Sequence, residues 1–297
     1  MKRLISCYAS DFVNMKREEL KNAILASEGR TILGETVVTA APLLEGVTNA
    51  EVMSSFGADM ILLNEFDVFE KKINGMEYEE NPIKKIKHLV GRPIGINLEP
   101  VDESAALIDE KVNLSSGRLA TVKTFCEAEK LGVDFICLTG NPSTGVSNEA
   151  INKCIDIAKK HYSGLVFAGK MHGAGMLENI LDEKMILSFI DNGADGVLLP
   201  AVGTVPGINE NLLSDIVRKI KNKKALVMCA IGTSQESADE GTIRLIGMSN
   251  KRVGADIHHI GDGGYGRMAD PENIMALSIA VRGKRHTYFK MAQSVNR

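Results

Sequence analysis

Tryptophan is absent from this chain, and tyrosine and phenylalanine number only 5 and 9. So few rings exclude the aromatic platforms on which single-stranded nucleic acids stack. Charge of one sign is not in excess either: 35 Lys and Arg stand against 38 Asp and Glu, interspersed along the chain. Such a mixture supplies no basic stripe for a phosphate backbone, so no nucleic-acid partner is expected. No apolar run exceeds strand length, which excludes a membrane-spanning helix and leaves no membrane partner expected. The opening Met1–Cys7 begins basic, but its apolar stretch is too short for a secretory signal and Asp11 interrupts it. A cytoplasmic location is therefore expected. The five cysteines form no CxxC pair, which argues against a structural zinc site or a disulfide framework. Cys137 and Cys229 lie in strand-like runs and read as buried core thiols. Interdomain linkers and low-complexity segments are lacking too. Residues 1–297 thus read as one domain, with 1–34 as an N-terminal helical extension and 284–297 as a basic C-terminal tail.

What is present is a beat. Gly57-Ala58-Asp59, Gly132-Val133-Asp134, Gly193-Ala194-Asp195 and Gly254-Ala255-Asp256 each follow a helix-like stretch and lead into a short apolar run. The glycine suits a helix C-terminus, where a positive φ is wanted. Four such units predict eight strands alternating with helices, and eight parallel strands close into a (β/α)8 TIM barrel. The expected strands are 36–41, 60–63, 93–97, 135–138, 165–168, 196–199, 225–230 and 257–260. Their runs are continuously apolar, as in parallel strands buried on both faces. Ser10-Asp11 is positioned to cap a helix running through Lys16, Leu20 and Ile24 that plugs the barrel bottom. The last helix is expected over 271–281.

Active sites of such barrels lie at the C-terminal ends of the strands, where this chain gathers its polar and glycine residues. The loops after strands 7 and 8 carry Gly232, Thr233 and Ser234, then Gly261, Gly263 and Gly264. Their backbones predict an anion site for a phosphate or carboxylate. Lys170, at the end of strand 5, is a candidate for anchoring an anion or for Schiff-base chemistry, with His172 beside it for proton transfer. Glu65, Glu99 and Asp262 are candidate Mg²⁺ ligands, with Glu65 and Glu99 also candidates for catalysis. Asn64, Asn97, Thr139 and Asn141 complete the polar set. Of each adjacent pair, Asn64 with Glu65 and His258 with His259, only one member can face the barrel. His258 is taken as the inward acid–base residue.

Thr139-Gly140-Asn141-Pro142, Gly169-Lys170-Met171-His172-Gly173, Gly232-Thr233-Ser234-Gln235-Glu236 and Ala255-Asp256-Ile257-His258-His259-Ile260-Gly261-Asp262 resemble phrases of an uncharacterised bacterial family of TIM barrels. Its members have carried names borrowed from phosphoenolpyruvate phosphonomutase or from haloacid-dehalogenase-like hydrolases. The layout from Ala40-Ala41-Pro42 to Phe56-Gly57-Ala58-Asp59 is similar to the start of phosphonomutase/isocitrate-lyase barrels. Asp262-Gly263-Gly264-Tyr265-Gly266 resembles their Mg²⁺-binding turn, although that turn follows an early strand there. Taken with the candidate residues, the reading is an enzyme of lyase or isomerase type acting on a small phosphorylated or carboxylated metabolite through an enolate-like intermediate, with Mg²⁺ and no organic cofactor, in a homo-oligomer. Metal-assisted hydrolysis and a non-catalytic metabolite-binding barrel are the alternatives.

Overall fold

A computed structural model describes residues 2–102, 104, 110–173, 175 and 178–297. Eight parallel strands, β1 (Thr31–Val37), β2 (Met60–Asn64), β3 (Ile94–Leu98), β4 (Phe135–Leu138), β5 (Leu165–Gly169), β6 (Gly196–Pro200), β7 (Leu226–Ile231) and β8 (Ile257–Ile260), close in sequence order. Pairing of Thr31 with Ile257 joins the last strand to the first. The fold is therefore the expected TIM barrel. Two short helices, α1 (Ala9–Phe12) and α2 (Arg17–Leu25), precede β1. The outer helices are α3 (Asn49–Ser55), α4 (Pro82–Val90), α5 (Val122–Leu131), α6 (Asn148–His161), α7 (Glu183–Asp191), α8 (Glu210–Asn222), α9 (Glu240–Val253) and α10 (Pro271–Met291). Among the described residues no helix is long and apolar enough to cross a membrane.

The beat has a physical cause. Gly57, Gly132, Gly193 and Gly254 all have positive φ. The amide after each returns to the helix, as in Ala58 N–H to Met53 O (3.1 Å) and Ala255 N–H to Asn250 O (3.1 Å), and so satisfies a terminal carbonyl. Each aspartate then clasps the preceding odd-numbered strand. Asp59, Asp134, Asp195 and Asp256 accept from the amides of Ile32, Ile94, Val166 and Val227 at 2.9, 2.7, 2.9 and 2.9 Å. Their own amides donate back to the carbonyls of those same four residues. Each carboxylate also meets a cation: Arg282, Lys87, Arg17 and Lys221 respectively. The repeat therefore builds the N-terminal rim of the barrel.

Inside, Leu33, Leu62, Phe135, Phe167, Leu198 and Met228 belong to one apolar cluster that Leu4, Leu20 and Ile24 close from below. Gly95 and Gly196 make room for the rings. A Cβ at Gly95 would stand 2.2 Å from Phe135, and one at Gly196 would stand 2.7 Å from Phe167. A second cluster fills the layer between strands and helices.

Three regions differ from expectation by more than one residue. Strand β1 is Thr31–Val37, not 36–41, and all seven positions are buried. Glu35 interrupts its apolar pattern, so the strand begins inside what reads as the extension. The N-terminal helix is two pieces, with Lys16 rather than Ser10-Asp11 at the cap of α2. The basic tail is largely helix: α10 bends at Gly283 (φ 78°, ψ 164°) and runs on to Met291. Its Lys290 is fully buried and donates to Cys7 O at 3.0 Å. In the connection between β3 and α5, residues 103 and 105–109 lie outside the described residues.

Candidate active site

Above the Leu62–Phe167 layer the inward side chains turn polar. Strand alternation brings Glu35, Asn64, Asn97 and Thr139 to the mouth, all buried. Together with His172, Glu236, Asp262 and Arg267 they line a cavity of 180 Å³ at the C-terminal face. Asn97 Nδ2 donates to Glu35 Oε1 (2.7 Å) and to Asn64 Oδ1 (3.0 Å). Asn64 Nδ2 donates to Asp262 Oδ2 (2.7 Å) and to Asn141 Oδ1 (2.9 Å). His259 Nε2 lies 2.8 Å from Glu35 Oε2, without the alignment of a hydrogen bond. The inward histidine is thus His259, not His258. His258 turns to the helix side and sits 3.0 Å from Gly29 O, and burial pushes its pKa down to about 4. Adjacent strand residues alternate faces, and the register of β8 on β1 decides which one looks inward.

Burial and the neighbouring Glu35 charge push the Asp262 carboxyl up to about 7, against the pull of the Asn64 donor and the Arg267 and His259 charges. Burial likewise raises Glu236 and lowers His172. Asp262 therefore exchanges its proton near neutrality, where acid–base catalysts work best.

The other sequence candidates fall outside the cavity wall or serve a different purpose. Lys170 is buried, with its Nζ 2.7 Å from Glu178 Oε2, and it does not line the cavity. Lys170 follows directly on Gly169, the last residue of β5, and its charge is met by Glu178. Glu99 is saturated: Asn141 donates to it through its backbone and side chain (2.9 and 2.8 Å), and Arg118 lies 3.0 Å away. It holds Asn141 toward Asn64. Glu65 turns outward to Thr39 and lies 4.0 Å from Arg118. The expected Mg²⁺ set of Glu65, Glu99 and Asp262 is therefore not assembled, because the Arg118 guanidinium supplies the positive charge between the first two. Among the described residues no group of three His, Cys, Asp or Glu is arranged to hold a metal.

The anion loops are also spoken for. Gly261 N–H donates to Ile231 O (2.9 Å), and Gly263 N–H donates to the Glu236 carboxylate. The Thr233 hydroxyl is turned to Thr204 O (2.6 Å), Ser234 is exposed, and Gly264 packs against Met268 O. Gly232, Thr233 and Gly261 do line the cavity; Ser234, Gly263 and Gly264 do not.

Glu35, Glu236 and Arg267 were not singled out from sequence, and His259 was assigned to the outward face. Glu35 and His259 carry a usable signal, a polar residue two positions from a buried apolar one on the same strand. Glu236 sits in a 3₁₀ turn after β7 and carries no such signal.

The model of a domain of unknown function, DUF7916, matches residues 5–297, and the chain belongs to that family. No curated protein matches it. Among solved structures it is similar to a 2,3-dimethylmalate lyase described as a PEP mutase/isocitrate lyase superfamily member. That likeness has 10% identity, covers 86% of this chain and 81% of the other, and has a TM-score of 0.51. An archaeal fructose 1,6-bisphosphate aldolase shares 14% identity over 93% and 99%, with a TM-score of 0.53. Oxaloacetate acetylhydrolase shares 12% over 84% and 81%, with a TM-score of 0.50. At such identities the likeness shows a shared barrel.

Proposed function

We propose that this chain is an enzyme of lyase or isomerase type in which Glu35 and Asp262 carry out general acid–base chemistry on a small polar carbonyl metabolite. The observation that carries this is the convergence of two carboxylates on one cavity at the C-terminal face of the barrel, joined through Asn97 and Asn64. Two carboxylates in unlike surroundings divide into acid and base. Glu35, beside His259, is the base. Asp262, protonated up to about neutrality, is the acid. In the lyase direction Glu35 takes the proton of a β-hydroxyl. The Cα–Cβ bond breaks as the new carbonyl forms, and the electron pair passes to an enolate whose oxygen receives the Asp262 proton. Arg267 at the cavity wall faces the developing negative charge. The similar structures include proteins named as a lyase and an aldolase, in keeping with this class.

The test needs no known substrate. Small keto, hydroxy and amino acids are incubated with the protein in D₂O, and C–H to C–D exchange is followed by proton NMR. Exchange or cleavage is expected for one structural class, is expected to persist in EDTA, and should be lost in Asp262→Asn. Absence of both from wild type over the whole panel would sink the reading. Strict dependence on a divalent ion would favour metal-assisted hydrolysis instead.

A further inference from the structure

In barrels of this architecture the loops after strands 7 and 8, with a short extra helix, are a frequent phosphate site. Here those parts are present: Gly232 after β7, the 3₁₀ turn Gln235–Ser237, and Gly261 to Gly263 after β8. A side chain of the protein itself fills the position. Glu236 is 3% exposed and points from the turn into the loops. Its Oε1 lies 1.9 Å from where a Cβ on Gly263 would be, so that residue must be glycine for the carboxylate to lie there. The turn is held by Asn273, which donates from Nδ2 to Glu236 O (3.0 Å) and Ala238 O (2.7 Å).

A structural carboxylate would be satisfied on each oxygen by a hydrogen bond or a facing cation, as Asp59 Oδ1 is by Lys290 at 3.7 Å. The Glu236 carboxylate is not: among the described residues its Oε2 is buried without a hydrogen-bond partner. Asn97 Oδ1, on the same cavity, is a second buried acceptor without a donor. Both residues are more than nine-tenths buried. The cavity therefore presents one acceptor from β3 and one from the turn after β7, and asks its ligand for N–H or O–H donors. Among the described residues Glu35 and Glu236 line it, with Asp262 sharing its proton near neutrality, against the one guanidinium of Arg267. A phosphate dianion brings no strong donor and meets like charge, whereas an ammonium brings up to three donors and the complementary charge.

We infer that the substrate carries a primary ammonium group, seated between Glu236 Oε2 and Asn97 Oδ1, and that Glu236 is the residue that turns a phosphate cradle into an amine site. The inference rests on the acid–base reading of the same cavity and names its substrate class. The ammonium bridges the turn after β7 and strand β3 and fixes the carbonyl end toward Glu35 and Asp262.

The experiment is isothermal titration calorimetry at pH 7.5 on the full chain. The probes are ethanolamine and 1,3-diaminopropane, their neutral counterparts ethylene glycol and 1,3-propanediol, inorganic phosphate and ethyl phosphate. Wild type is expected to bind the amines saturably and to give no saturable heat with the diols or phosphates. Glu236→Gln should weaken amine binding at least about tenfold by removing a charge-assisted acceptor. Glu236→Asp, which keeps the charge, should retain more of the binding than Glu236→Gln. Saturable phosphate binding by wild type, or amine affinity unchanged in Glu236→Gln, overturns the inference. Failure of wild type to bind either amine overturns it as well, and that arm requires no variant to fold. Amine binding without any exchange chemistry would leave this inference standing and remove the acid–base reading. Turnover of a phosphate ester would do the reverse.

Discussion

Asp256 and Asp262 stand at the two ends of β8, separated by Ile257–Ile260 and one glycine. Below the strand, Asp256 accepts from the Val227 amide at 2.9 Å and from Lys221 at 2.7 Å. Above it, Asp262 accepts from a neutral amide, Asn64, and faces the like charge of Glu35. The contrast extends around the barrel. At the lower rim, burial alone would raise Asp59, yet the charges of Arg282 and Lys290 and the Ile32 amide hold its carboxyl below the usual range. At the mouth, burial and Glu35 drive Asp262 the other way. Asp134 is the weakest member of the lower ring, since its Lys87 partner is partly exposed and burial raises its carboxyl. A carboxylate that meets a cation and a strand amide becomes a clasp. One that meets amides and another carboxylate keeps a proton to exchange.

The sharpest way to break this contrast is to remove one member from each end. Asp59→Ala leaves Arg282 and Lys290 buried without their counter-charge and is expected to cost about 3–5 kcal/mol, read from urea unfolding. Asp262→Asn should keep the wild-type unfolding midpoint while lowering turnover about 10²–10⁴-fold. Equal stability losses in the two variants would erase the distinction.

The pH dependence of each end differs in sign. The Asp262 carboxyl, raised in the fold, titrates at about 7. Its contribution to stability is complete at low pH and is lost as pH rises through 7, and turnover that needs its proton should fall over the same limb. A pH–rate profile without a descending limb near 7 would contradict the acid role. His258, depressed to about 4, works oppositely: stability is full above the unfolded value near 6.5 and is lost as pH falls toward 4. This amounts to about 3 kcal/mol. His258→Gln should flatten that acid limb in unfolding titrations from pH 7 to 4 and leave the turnover profile unmoved.

The smallest effect is expected at the half-exposed edge of the lower ring. Arg17 shares Asp195 with Lys21, at 2.8 and 3.7 Å. Arg17→Ala should therefore cost only about 1 kcal/mol, since the lysine remains. A loss as large as that of Asp59→Ala would mean the four clasps are equivalent despite their different burial.

Much of the fold was legible because helix ends and buried strands obey local rules. A glycine at positive φ, an aspartate and an apolar run recur wherever a helix returns into the barrel. β1 escaped because Glu35, a charged residue inside a strand, reads as a boundary unless its partners are known. The mouth was legible as a region and mistaken in detail. Asn64, Asn97 and Thr139 stand in the cavity wall, while Glu65, Glu99 and Lys170 turn to Thr39, Arg118 and Glu178. A strand's period of two says that Asn64 and Glu65, or His258 and His259, part company, and not which of them looks inward. That follows only from the register of one strand on the next. Glu236 was hidden because a 3₁₀ turn has no periodicity to mark an inward side chain.

By itself the sequence determined the barrel, the order of its strands and the face where polar chemistry gathers, since all three follow from interactions within a few residues of each other. Only the tertiary structure decided what each carboxylate is for. Arg282 lies 223 positions from Asp59, and Asn64 lies 198 from Asp262. A carboxyl group's charge is set by whatever stands within a few ångströms of it, and barrel closure brings those distant partners there.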